Sequence, residues 1–194
     1  MTPTTSRLRL ERLRPDHAER MVAFHERNRE HLRSTSPPRP AGYYGLPFWR
    51  EAGARQAEPF DTARSVSWLM FLREDDSAVV GTINLNEIIR GPFRACFLGY
   101  ALDHAQVGRG LMSEGLRPVI DHAFETLRLN RIMANYMPSN VRSGAVLERL
   151  GFVREGFSAG YLFIDGAWRD HVMTALRNPK PPLPPEAQTE AQVR

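Results

Sequence analysis

The residues whose spacing invites chemistry first are Gly108-Arg109-Gly110, inside the run Ala105-Gln106-Val107-Gly108-Arg109-Gly110-Leu111-Met112. An apolar run over 95–102 enters this segment and a helical pattern leaves it. Glycines there remove the Cβ atoms that would keep a backbone from closing around a bulky anion. The N–H groups opening the following helix have no partners within it and point at whatever lies beyond its end. Strand, glycine turn and helix together describe a phosphate or pyrophosphate cradle built from the backbone amides of Val107, Gly108, Arg109, Gly110, Leu111 and Met112. A triphosphate loop needs a lysine after its second glycine, and the sole lysine is Lys180, near the C-terminus. A dinucleotide site needs a third glycine, where Ser113 stands, and an acid ending the next strand, where Asn and Tyr stand. What remains is the pyrophosphate of coenzyme A, or an ordinary glycine turn.

Other reactive types are less persuasive. Cys96 lies in the apolar strand with no activating base nearby and reads as a small buried thiol. His25 shares a helical face with Ala18, Met21, Val22 and Leu32 and has no second ligand at metal spacing, so it reads as a core-edge histidine. Asp170-His171 suggests a charge relay, but no nucleophile accompanies it. No metal is expected.

The elements that must position these residues follow from periodicity. A strand is expected over 7–13 and a helix opened by Pro15. A loop is expected over 34–47, and a helix over 48–63 weakened by Gly53 and Pro59. With Tyr43, Tyr44, Phe48 and Trp49 this region suits either one wall of a substrate cleft or a pinned surface loop. Strands over 67–73 and 79–89 form an antiparallel pair, and 93–102 feeds the cradle. Met112, Leu116, Val119, Ile120, Ala123 and Leu127 keep helical spacing. Pro118 in that helix should bend it. A strand over 131–136, a helix capped by Ser139 or Asn140 and ending at Gly151, and a hairpin about Asp165-Gly166 complete the order. Antiparallel strands, then strand–helix–strand–helix, then a closing hairpin make an α+β fold. Residues 1–178 read as a single domain, and 179–194 as a proline-rich tail without a core pattern.

Composition narrows the class. The chain has 194 residues, 42% hydrophobic and 25% charged, as a soluble protein does. No run approaches the ~20 apolar residues of a membrane span, and the start lacks a signal core. One cysteine excludes an internal disulfide framework and suits a reducing cytoplasm. A net charge of +4, with arginines alternating with glutamates, describes a solvated arginine-rich surface better than a dedicated RNA face.

The order of elements, with Gly108-Arg109-Gly110 after a central strand and Asn140-x-x-Ser143 before Gly151-Phe152, resembles the GNAT acetyltransferases. ANYMP (134–138), NVRSG (140–144), LERLGF (147–152) and YLFIDGAWRDHVMTAL (161–176) resemble the RimJ/RimL branch, whose RimJ enzymes acetylate the N-terminal alanine of a ribosomal protein. The likeness runs over about 7–178 and is strongest after residue 79. It implies a central mixed, mostly antiparallel sheet flanked by helices, with a splayed strand pair holding acetyl-CoA. By the same resemblance, Tyr100, Ala101 and Leu102 pair with the pantetheine amides, Asn135 and Asn140 face that channel, Glu155 of FVREG is the base and Ser143 the acid, with Tyr136 and Tyr161 as other donors. The family often carries Gln or Arg three residues before the first glycine; here Ala105 stands there, so the cradle works through its backbone. The implied partner is the N-terminus of a ribosomal protein, near the ribosome or its RNA and away from membranes, with the enzyme a monomer or homodimer. Two other readings stay open: the same transfer to a polyamine or aminoglycoside, and a ribosome-assembly or RNA-binding factor without turnover.

Overall fold

The computed structural model describes residues 4–59 and 62–183. Its framework is one seven-stranded sheet in the order β1-β2-β3-β4-β5-β7-β6. The strands are β1 (Leu8–Arg12), β2 (Val66–Leu72), β3 (Gly81–Ile89), β4 (Ala95–Leu102), β5 (Arg131–Met133), β6 (Val153–Ile164) and β7 (Ala167–Arg177). All neighbours are antiparallel except β4 and β5, which the helix α4 (Leu111–Glu125) connects as a parallel crossover. Alternation along β2 divides its side chains between the two faces: Trp68 and Met70 join the core under α4 and α5 (Val141–Arg149), while Leu69 and Phe71 join the other. That second core lies beneath α1 (Ala18–Arg27), α2 (Arg29–Arg33) and α3 (Leu46–Arg55), centred on Met21, Phe24, Tyr43 and Trp49.

Helix α4 follows the glycine turn and anchors it to the core. Leu111, Leu116, Val119 and Ala123 are fully buried against the sheet; each of the larger three contributes roughly 1.5–3 kcal/mol. The helix continues through Pro118 without interruption. Burial along nearly the whole of one face outweighs the hydrogen bond that proline removes.

Several boundaries differ from the sequence reading. The helix anticipated over 48–63 is Leu46–Arg55, begun by Pro47 in its first turn and finished before Pro59. Strand β4 begins at Ala95, and the hairpin strands extend well beyond 161–176, β6 alone being twelve residues. Its turn, Asp165-Gly166, has both φ angles positive (47° and 76°), as a two-residue hairpin turn with matching twist requires. The expected strand over 131–136 contains only Arg131–Met133, and this shortening creates the site. The anticipated tail is described only as far as residue 183, where 178 is tied back by its Nδ2 to the Leu129 carbonyl at 2.9 Å; residues 184–194 lie outside the described set.

Candidate active site

Strand β4 pairs with β3 along most of its length, up to Leu102 opposite Gly81. Against β5 it pairs only from Ala95 to Phe97. After Met133 the chain turns toward β7 instead: the Ala134 N–H donates to the Thr174 carbonyl at 3.0 Å, and Tyr136 and Val172 exchange two backbone bonds at 3.2 and 2.8 Å. The edge of β4 from Leu98 onward therefore faces a wedge rather than a strand. A cavity of about 170 Å³ occupies it, lined by Gly99, Tyr100, Asn135, Asn140 and Ser143 among others. It meets a second cavity of about 450 Å³ under the 34–47 segment. Leu98, Gly99, Tyr100, Asn135 and His171 line both. An extended chain with its own amides can add to such an edge as a strand would.

At its C-terminal end, β4 delivers the glycine turn. Asp103 is 3% exposed and anchors the turn: its Oδ1 accepts from the Ala105 N–H at 2.9 Å, and its Oδ2 accepts from Arg27 Nε at 2.6 Å and Asn28 Nδ2 at 3.2 Å. Burial pushes its carboxyl up, but these hydrogen bonds outweigh burial and hold it below the ordinary carboxylate range. Gly108 and Gly110 sit at φ 84° and 76°, in the left-handed region that disfavours other residues. A Cβ built on Gly108 would meet no atom within 4 Å, so the space over the turn is open to a ligand. Gly110 is the N-cap of α4 and offers no side-chain oxygen to the first helical amides. Those N–H groups remain available to an anion. From below, Arg7 donates to the Arg109 carbonyl at 2.8 Å and pairs with Glu114 at 2.6 Å.

Across the wedge, Asn140 caps α5 by accepting from the Ser143 N–H at 3.2 Å. Ser143 Oγ then lies 2.7 Å from the Tyr100 hydroxyl. Burial pushes that phenol up to about 12, partly countered by the Ser143 bond, so it stays protonated and can donate. Asn135 is held on both sides, donating to the Tyr161 hydroxyl at 3.1 Å and accepting from the Thr174 N–H at 3.3 Å.

Glu155 does not join this group. It sits at a bulge in β6 and forms an ion pair with Arg131. Arg131 pairs with Ala95, five residues from Tyr100, which at ~3.3 Å per residue is roughly 16 Å along β4. Glu155 lines neither cavity. The F-x-x-E-G spacing marks this carboxylate in the sequence, but in the structure its ion-pair partner is Arg131. Tyr136 reaches the wedge, and Tyr161 the larger cavity. The N-terminal part of the site was not anticipated: Asn28, buried and bonded to Asp103 and the His104 N–H, and Arg7 carry no motif.

The 34–47 segment forms a wall of the larger cavity through Thr35, Ser36, Arg39 and Tyr43, joined by Trp49 from α3. Tyr44 and Phe48 pack on the core behind it. His25 is the core histidine expected: it stacks on Trp49 at 4.9 Å and bonds the Tyr43 hydroxyl through Nε2 at 2.9 Å. Burial, then Arg39, depress it to about 3, so it is neutral. Cys96 is fully buried, and burial raises its thiol to about 12.

A split strand pair, an amide-lined glycine turn and a hydroxyl pair between them invite comparison with known proteins. Residues 7–153 match the family described as Acetyltransferase (GNAT) domain. The chain belongs to the GNAT acetyltransferases. It is 38% identical over 176 residues to the [ribosomal protein uS5]-alanine N-acetyltransferase of Escherichia coli, covering 91% of this chain and 90% of that one. The crystal structure of ribosomal-protein-S5-alanine acetyltransferase from Vibrio fischeri superposes with a TM-score of 0.89 at 30% identity, over 94% of this chain and all of that one. Mycobacterium smegmatis RimJ, solved in complex with CoA-disulfide, gives 0.80 at 26% identity, over 96% and 90%. The anticipated family, its α+β fold with splayed strands, and the enzyme class thus stand. No helix among the described residues is long and apolar enough to cross a membrane.

Proposed function

We propose that this enzyme transfers acetyl from acetyl-CoA directly to the N-terminal α-amine of a ribosomal protein, alanine first, in the cytoplasm. The pyrophosphate would lie on the amides from Val107 to Met112. The released edge of Tyr100, Ala101 and Leu102 would pair with the pantetheine amides, with Asn135 and Asn140 on the opposite side. The observation that carries the acceptor is the lining of the two joined cavities: neither includes a carboxylate, and Arg39 stands in the larger one. A polyamine or aminoglycoside carries several positive charges and needs acidic partners; a single α-amine does not. Relatives named as ribosomal-protein-alanine acetyltransferases support the same choice.

The chemistry asks little of the protein. An α-amine with pKa near ~8 is about one-fifth neutral at physiological pH, against about a thousandth for a lysine near ~10.4. Bound at the junction, it attacks the thioester carbonyl held on the β4 edge. The Tyr100–Ser143 hydroxyl pair supplies the proton for the departing thiolate. Cys96 is no candidate for an acyl-enzyme, since burial keeps its thiol protonated in the core. The test is incubation with acetyl-CoA and an alanyl peptide, following peptide mass and free thiol. Mass gain on the free N-terminus, and none on a blocked peptide with an internal lysine, is expected. Turnover of spermidine or an aminoglycoside alone would overturn the acceptor assignment.

A further inference from the structure

His171 is the one basic side chain, among those lining the cavities, that borders both the wedge and the acceptor cleft. It is 4% exposed, and Nδ1 lies 3.0 Å from the Arg169 carbonyl oxygen. A carbonyl only accepts, so Nδ1 carries the proton of the neutral ring and Nε2 keeps a lone pair. The Tyr161 ring packs against the imidazole at 5.1 Å and holds its orientation, and Asn135 in turn fixes the Tyr161 hydroxyl. Its neighbours on β7 leave it alone: Asp170 accepts from the Gly160 N–H at 2.8 Å, and Arg169 donates to the carbonyls of Ile164 and Asp165. This arrangement is not a charge relay, because the group orienting the imidazole is a backbone carbonyl. It is an imidazole held through Nδ1, and Glu155 lines neither cavity beside it.

The geometry points to His171 as the catalytic base that takes the proton from the acceptor's α-ammonium group, an inference that rests on the N-terminal acetyltransferase reading. The ammonium N–H bond breaks and its proton moves to Nε2, giving imidazolium and a neutral amine. The amine nitrogen forms the C–N bond at the thioester carbon. On collapse the C–S bond breaks with its electron pair on sulfur, and the nitrogen's second excess proton balances that thiolate through the Tyr100–Ser143 hydroxyls. Imidazolium returns its proton to water. The other titratable or charged groups lining this space are Tyr161 from β6, Tyr100 from β4, Tyr136 after β5, and His25, Arg39 and Tyr43 across the cleft. Tyr100 and His25 remain neutral through the assay range, since burial moves one to about 12 and the other to about 3.

The decisive variant is His171→Asn, whose side-chain amide can still donate to the Arg169 carbonyl but has no basic nitrogen. With alanyl peptide and acetyl-CoA, kcat at pH 7 should fall about 10-fold, because roughly a tenth of an α-amine with pKa near ~8 is neutral there without a base. KM for acetyl-CoA should stay within about twofold. The deficit should shrink toward unity above pH ~9, where the α-amine reaches the enzyme neutral. Added imidazole should restore part of the rate in His171→Ala. Wild-type activity with an unchanged Asn variant, or a deficit that is the same at pH 7 and pH 9, would overturn the role of His171 and leave the acetyltransferase reading intact. A wild-type enzyme that does not acetylate N-terminal peptides would instead overturn that reading, and the assignment of His171 with it.

Discussion

Gly108→Ala tests the cradle without touching the core. At φ 84° a Cβ costs about 1–2 kcal/mol relative to glycine, because it crowds the following carbonyl. Nothing lies within 4 Å of that Cβ, so no further clash adds to the cost. For a chain of this size the melting temperature should fall by roughly 2–8 °C. The ligand should suffer more. The same methyl projects into the space where a pyrophosphate must approach the amides, and displacing one hydrogen bond to a charged oxygen costs about 1.5–3 kcal/mol. That corresponds to a loss of roughly 10- to 150-fold in coenzyme A affinity. Titration calorimetry would measure the affinity, and steady-state assays would compare acetyl-CoA with S-acetylpantetheine, which has no pyrophosphate. The KM for acetyl-CoA should rise and that for S-acetylpantetheine should not. Coenzyme A binding within twofold of wild type, or an equal loss for both donors, would refute an anion site at this turn.

Tyr100→Phe removes the hydroxyl 2.7 Å from Ser143 Oγ and should lower kcat about 10- to 100-fold with little change in acetyl-CoA KM, read by steady-state kinetics at saturating peptide. Gly144→Ala places a Cβ 2.8–3.0 Å from the Tyr136 ring, so α5 must shift or the ring must move; urea unfolding should show a loss of about 1–3 kcal/mol. Glu114 is pushed up by burial, but bonds from Thr5, Arg7 and Ser6 prevail and bring it down to about 2 from 4.5. A carboxyl depressed on folding stabilises the protein above its unfolded value, and that stability is lost as pH falls through the folded value. Wild type should therefore lose stability between pH 4.5 and 2 more steeply than Glu114→Gln, as acid titrations of the unfolding midpoint would show.

The helical repeat of Met112, Leu116, Val119, Ile120 and Ala123, the Asp165-Gly166 turn and the Gly108–Gly110 spacing are local properties, and each could be read from the chain because a few consecutive residues determine it. The family likeness added an expected outline of the site, and Asn140 and Ser143 line the wedge. Pro118 does not end α4, because the buried face holds the helix together where propensity alone would stop it. The end of β5 at Met133 could not be read at all. Residues 134–136 have strand character either way, and only competition between β4 and β7 for their backbone groups decides which partner they take. The surroundings of Glu155 and His171 could not be read for the same reason. One lies on β6 at a bulge beside Arg131, the other on β7 against the Arg169 carbonyl, and both environments depend on residues far away in the chain. Sequence by itself determined the order of the elements, the glycine turn and the family. Tertiary structure alone decided where the sheet opens and which side chains meet there, because register and bulges are set by long-range pairing that no local pattern contains.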